Sequence, residues 1–89
     1  MKKKILILGS NSFSGNHLVN YLLKKKFFII GCSLSDISET KFNCINQLPK
    51  SVIKNFKFKK ININKEFLKL EKLIFKYKPN IIVDFLGQG

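Results

Sequence analysis

Apolar residues fall in short runs and helical stripes that alternate along the chain. Ile5-Leu6-Ile7-Leu8 is an unbroken apolar run halted by Gly9. A run without alternation predicts a strand covered on both faces, as in a parallel sheet. Leu18, Val19, Leu22 and Leu23 then share one helical face. Asn11, Ser12 and Ser14 precede them as helix-capping types, and Lys24–Lys26 suit the negative end of a helix dipole. Phe27 to Cys32 is a second apolar run, closing in Gly31-Cys32-Ser33. Leu34 to Asn55 is irregular and holds Pro49, with only a weak helical pattern from Gln47 to Phe56. Phe56 to Ile63 alternates at period two, which predicts an edge strand with one wet face. Phe67, Leu70, Ile74 and Tyr77 recur at three- and four-residue steps, an amphipathic helix stopped by Pro79. Ile81-Ile82-Val83 opens a fourth strand that reaches Phe85-Leu86 and reads as buried on both faces.

The order is β-α-β, an irregular stretch, then β-α-β. Strands alternating with helices of this length imply parallel pairing and right-handed crossovers. The expected class is α/β, a parallel sheet of about four strands with helices on both faces. Eighty-nine residues make one small domain, and no repeat, low-complexity tract or linker divides it. A doubly wound sheet would place another helix after the fourth strand, so residues 1–89 read as the N-terminal part of a larger domain.

The formal net charge of +12 changes this picture little. All seventeen basic residues are lysines, spread along the chain with runs at Lys2–Lys4, Lys24–Lys26 and Lys57 to Lys60. Recognition of bases and phosphates leans on the planar fork of arginine, which is absent. A chain rich in Lys, Asn and Ile and empty of Arg and Ala points to an AT-rich genome, a statement about codons. Nucleic acid is therefore not an expected partner, and Lys59 and Lys60 read as the wet face of an edge strand. Cys32 and Cys44 stand twelve positions apart with a single His17, which forms neither a zinc pattern nor a disulfide framework. No metal is expected. The Ile5–Leu8 run is too short for a signal-peptide core, and no stretch approaches the ~20 apolar residues of a membrane span. A cytoplasmic protein without a membrane partner is the expectation.

The segment that carries chemistry is Gly9-Ser10-Asn11-Ser12-Phe13-Ser14-Gly15, between the first strand and the first helix. A glycine at the strand end permits a sharp turn, and the N–H groups of a first helical turn attract an anion. A glycine one turn into the helix allows close packing beneath a pyrophosphate. The three-glycine dinucleotide pattern wants glycine at position 12, where serine stands. Its Cβ would crowd a pyrophosphate, while its hydroxyl could bond one. A Walker phosphate loop is excluded, since no Gly-Lys-Ser/Thr follows, and so is a receiver-type acidic site at the strand end.

With these residues in view, the chain resembles the extended short-chain dehydrogenase/reductases, the NAD-dependent epimerase/dehydratase family that acts on nucleotide sugars. Ile5 to Gly15 is similar to that family's opening strand and Gly-x-x-Gly-x-x-Gly loop. Asn62-Ile63-Asn64 stands where the family has an Asp-Leu/Ile motif at the adenine. Pro79 to Gln88 is similar to its fourth strand, which ends in Ala-Ala-Gln beside a ribose. The resemblance implies a Rossmann-like sheet ordered 3-2-1-4 and a bound NAD or NADP. It places Gly9, Asn11, Ser12, Phe13, Ser14 and Gly15 around the pyrophosphate. Asn62 and Ile63 fall at the adenine, Leu86 and Gly87 near a ribose, and Ser33 after the second strand. Ser12, Asn62 and Leu86-Gly87 depart from the pattern. Neutral Ser33-Leu34-Ser35 neither repels the 2′-phosphate of NADP nor supplies the acid that would hold the 2′-hydroxyl of NAD.

The family's Tyr-x-x-x-Lys pair and sugar-binding region fall beyond this length, so no catalytic residue is assigned. Tyr21-x-x-x-Lys25 matches the spacing on a helix where the resemblance gives it no catalytic place. The resemblance thus implies the cofactor-holding portion of a nucleotide-sugar epimerase or dehydratase, inactive alone, whose sugar substrate belongs to a full-length parent. The other readings are a non-catalytic nucleotide-binding module and a basic polyanion-binding domain. His17 reads as a surface or capping residue and Asp84 as a polar residue at a strand's solvated edge. An apolar last strand with nothing to cover it also predicts self-association into a homo-oligomer.

Overall fold

The computed structural model describes residues 3–36 and 45–86. Its elements are β1 (Lys4–Leu8), α1 (Phe13–Lys24), β2 (Phe28–Ser33), a 3-10 turn (Ile45–Gln47), α2 (Lys50–Ile53), β3 (Phe56–Lys60), α3 (Phe67–Tyr77) and β4 (Ile81–Asp84). The four strands form one parallel sheet, as the alternation of elements implied, in the order β3-β2-β1-β4, as the family resemblance implied.

The unbroken apolar runs are explained by two cores, one on each face. Ile5 and Ile7 of β1 join Val19, Leu23, Ile29 and Ile45 on the α1 side. Leu6 joins Ile30, Cys32, Ile61, Leu70 and Leu73 on the α3 side. Successive strand residues point to opposite faces, so a strand covered on both sides is apolar at every position. At ~1.5–3 kcal/mol for each fully buried aliphatic side chain, β1 and β2 carry much of the burial that holds the sheet together.

Helix α1 stops in a closure whose left-handed position, usually glycine's, is held by a lysine. The Phe27 N–H donates to the Leu22 carbonyl at 3.2 Å and the Lys26 N–H to the Leu23 carbonyl at 2.9 Å. This paired closure needs a left-handed residue between them, and Lys26 supplies it with φ +68°. Helix α3 likewise ends on left-handed Lys78, followed by Pro79. Asn80 then fixes the start of β4 against β1. Its side-chain oxygen accepts from the Lys4 N–H at 2.9 Å, and its own N–H donates to the Lys4 carbonyl at 2.7 Å.

Three expectations are corrected. The weak helical pattern over 47–56 resolves into the 3-10 turn and the single turn of α2. Pro49 stands at the N-cap between them, where its missing N–H costs nothing. Strand β3 ends at Lys60 rather than Ile63. The Ile61 N–H still donates to the Ser33 carbonyl at 2.9 Å and its side chain enters the α3-side core. The backbone then turns at Asn62, whose N–H and side chain bond Glu66 and Asn64 instead of β2. Strand β4 is not buried on both faces: Ile81 is 44% and Ile82 51% exposed, since no described element covers its outer side. Its pattern suits a central strand, whereas its place is a rim. The irregular reading of 34–55 falls partly outside the described residues, as do Cys44 and Gly87. Among the described residues no helix is long and apolar enough to cross a membrane.

Candidate functional site

The turn after β1 is built from backbone. The N–H groups of Gly9 and Ser10 both donate to the Cys32 carbonyl on β2, at 2.8 and 3.1 Å. Gly9 has φ +82°, a left-handed conformation that favours glycine, and a Cβ there would lie 3.3 Å from Phe85. The Gly9 carbonyl then accepts from the Ser12 N–H at 3.0 Å and from the Ser12 hydroxyl at 2.8 Å. Ser12 is the N-cap of α1, and its Oγ accepts from the Gly15 N–H at 3.0 Å. A Cβ on Gly15 would sit 2.2 Å from the Gly9 carbonyl oxygen. The helix therefore rests directly on the turn, and only glycine allows it.

Beneath the turn, Ser10 is fully buried and meets β2 at Gly31, where a Cβ would come within 2.6 Å of the Ser10 hydroxyl. Asn11, also buried, reaches the segment after β2. Its Nδ2 donates to the Ser35 carbonyl at 2.8 Å and to the Ser35 hydroxyl at 3.2 Å. A carbonyl can only accept, which fixes the amide with its nitrogen toward Ser35. Its Oδ1 is left buried with no partner among the described residues.

These segments frame a cleft of about 250 Å³ lined by Gly9, Asn11, Ser12, Ser33, Leu34, Ser35, Phe85 and Leu86. It lies at the C-terminal ends of β1, β2 and β4, where chain order reverses between β1 and β4. Open α/β sheets bind ligands at such a switch point. Among the described residues no charged side chain lines the cleft. Any attraction for an anion there comes from backbone N–H groups and the α1 dipole, the latter about 0.3–1 kcal/mol.

Of the residues expected to hold a ligand, the fold brings Gly9, Asn11, Ser12, Ser33 and Leu86 into this one lining. Gly15 supports it from beneath. Ser14 is exposed in the first turn of α1, and Phe13 is exposed with its ring 4.5 Å from the His17 ring. Asn62 and Ile63 do not line the cleft. The Asn62 Oδ1 accepts from the Asn64 N–H at 3.2 Å and its N–H donates to Glu66 at 3.0 Å, so it organises the approach to α3. Ile63 packs on the α3-side core. Asp84 is exposed, and its carboxylate accepts from the Leu86 N–H at 2.7 Å. Neither tyrosine lines the cleft. Tyr21 is exposed on α1 with the Lys25 ammonium 5.5 Å from its ring, and Tyr77 packs on the α3-side core.

Leu34, Ser35 and Phe85 line the cleft without an assignment from the sequence, although Leu34 and Ser35 read there, with Ser33, as neutral toward the 2′ position of the cofactor. Gly31 carried a readable signal, since a glycine inside an apolar strand marks a close approach. Among the described residues two ionisable groups are shifted. Burial pushes the Cys32 thiol up to about 11. The hydrogen bond from Lys69 lowers the Glu66 carboxyl.

No family model matches the chain, and no curated protein matches it. Solved structures do. The enzyme WbmH of Bordetella bronchiseptica, in complex with NAD+, is 20% identical with a TM-score of 0.71. The match covers 94% of this chain and 26% of that one. The fold is Rossmann-like. A 4-hydroxyisoleucine dehydrogenase complexed with NADH is 24% identical with a TM-score of 0.66, covering 91% of this chain and 32% of that one. The chain thus spans between 26% and 32% of the length of these two structures.

Proposed function

We propose that the chain holds NAD(H) or NADP(H) through the Gly9–Gly15 turn, as the N-terminal part of the cofactor-binding domain of an oxidoreductase. The parent reaction is of the nucleotide-sugar epimerase or dehydratase kind that the sequence resembles. The observation that carries this reading is the contact of α1 with the turn, where a Cβ on Gly15 would stand 2.2 Å from the Gly9 oxygen. That geometry brings the start of a helix to the switch-point cleft, the arrangement that receives a pyrophosphate. The residues present fit such a group. Gly9 and Gly15 add no side chain to the turn, and the Ser12 hydroxyl is turned onto Gly9 and Gly15. The cleft wall contains the unpartnered Asn11 acceptor, a partner for a sugar hydroxyl. At about 250 Å³ the cleft is smaller than the ~300–1,000 Å³ of a typical small-molecule site. It suits the pyrophosphate and one sugar, with the remainder of a dinucleotide extending along the strand ends.

A bound nicotinamide supplies hydride transfer. This chain's residues bind and orient: Gly9, Ser12, Ser14 and Gly15 at the phosphates, Asn11 and Ser33 on the side of β2, Phe85 and Leu86 on the side of β4. Asn62 and Ile63 border the path toward α3. Both solved relatives described above are complexed with NAD+ or NADH, which supports the cofactor class.

Calorimetric titration with NADH and NADPH tests the reading. Gly9→Val should lower affinity by about tenfold or more, because a branched residue cannot hold the left-handed turn beside Phe85. Unchanged affinity in a folded Gly9→Val protein would remove the turn from the site.

A further inference from the structure

A second concavity lies apart from the cleft and shares no residue with it. It is a groove of about 380 Å³ between β3 and α3, lined by Lys59, Lys60, Ile61, Lys69, Lys72, Leu73 and Lys76. Ile61 and Leu73 are buried and form an apolar floor. Lysines of both elements border it. Lys59, at the end of an edge strand, shares the strand face of Ile61, whereas its neighbour Lys60 alternates to the opposite face. Lys69, Lys72 and Lys76 come from α3 at steps of three and four residues, which places them along one helix face. Among the described residues the lining holds no acidic residue. Glu66 pairs with Lys69, and its lowered carboxyl stays ionised to do so. The Lys76 ammonium stands 5.3 Å from the Tyr77 ring. Lys59, Lys60 and Lys72 have no ion-pair partner among the described residues.

Like charges at these helix spacings oppose folding, and a concave wall concentrates their field. Three features narrow what would relieve it. The space is that of a small molecule, so the negative charge must be dense. The cations are ammonium groups, compact donors that bind phosphate as point charges and do not need a planar, bidentate partner. Among the described residues no aromatic ring lines the groove, so they offer no stacking platform of the kind on which single-stranded nucleic acid is held. We propose that the β3–α3 groove is a binding site for a compact oligophosphate, read through contiguous phosphates rather than through a base. It is independent of the dinucleotide cleft and stands whether or not that cleft binds a cofactor.

Calorimetry with sodium tripolyphosphate, against sulfate at matched ionic strength, tests this directly. Saturable one-to-one binding that weakens with added salt is expected for tripolyphosphate alone. Lys72→Glu should weaken it by about tenfold or more, and Lys24→Glu, which changes net charge equally outside the groove, by less than about twofold. Lys72→Gln, a mild change at an exposed helix position, gives the same ranking should the reversal disturb folding. A nucleoside triphosphate that binds like tripolyphosphate and is equally sensitive to Lys72 supports a site that reads the phosphate chain. Equal losses in Lys72→Glu and Lys24→Glu, or no saturable binding, would overturn the proposal as diffuse surface charge. A single-stranded oligonucleotide that binds more tightly than tripolyphosphate through Lys72 would overturn the ligand class.

Discussion

Strands β1 and β4 are neighbours in one sheet and read alike in sequence, yet they stand in opposite situations. In β1, Ile5, Leu6 and Ile7 are buried on both faces, and the turn beyond them is held by bonds from β2 and α1. In β4, Ile81 and Ile82 remain about half exposed, and the strand's outer side pairs with nothing described. The difference shows that apolar pattern reports what a strand is suited to, while its place in the sheet sets what it receives. It also locates precision. The candidate cleft draws its fixed geometry from the centre, at Gly9, Gly15 and Gly31, and takes only one wall from the rim.

Substitutions should divide along that line. The largest effect is expected at Gly15→Ala. A methyl 2.2 Å from the Gly9 oxygen cannot be absorbed, so the turn must open. A stability loss of about 3 kcal/mol or more, at the upper end of overpacking costs, should appear in denaturant melts. A loss below about 0.5 kcal/mol would mean the helix does not rest on the turn.

Alkali should strike the centre next. The Cys32 thiol ionises near 9.0 in an exposed chain and only near 11 in the fold, because burial penalises the thiolate. The unfolded chain therefore loses its proton first. The Cys32 contribution should be flat below about pH 9, and stability should fall between pH 9 and 11 by an amount on the order of 2–3 kcal/mol. Cys32→Ala should flatten that slope. A slope unchanged by the substitution would assign it to other groups, such as lysines.

Ser12→Ala removes an N-cap along with the hydroxyl bond to Gly9 and should cost about 1 kcal/mol, against a few tenths for Ser12→Gly. Equal costs would show that the hydroxyl contributes nothing. The smallest effect belongs to the rim. Ile82→Val should change stability by less than about 0.5 kcal/mol, whereas the same change at Ile30 should cost about 0.5–1.5. Equal values would erase the contrast between centre and rim.

Much of this architecture is legible in the sequence because its causes are local or periodic. The runs at Ile5–Leu8 and Phe27–Cys32, the three-and-four spacing of α3 and the stop at Pro79 each follow from one element's own geometry. So do Gly9 and Gly15, since a sharp turn and a close helix start are demands on single residues. What escaped depends on tertiary distance. Asn11 reaches Ser35 across 24 positions, and no local rule pairs them. Ser12 reads in the sequence both as a helix cap and as a phosphate partner, and only the fixed helix start shows its hydroxyl engaged by Gly9 and Gly15. The lysines of β3 and α3 each read as an ordinary wet face. Only the crossover that lays one element beside the other turns them into a shared groove.

The clamp between Lys4 and Asn80 has a consequence for the order of assembly. It joins positions 76 apart, whereas β1 meets β2 across a loop of a single helix. Closure entropy grows with the logarithm of loop length, and pairings between distant segments slow folding. The β1-α1-β2 unit can close early on short connections. Strand β4 can reach β1 only after the intervening chain has condensed. Phe85 and Leu86, which follow β4, therefore arrive at the cleft after the glycine turn has formed. Of the cleft's walls, theirs is the last to close and the first to be lost when the chain opens.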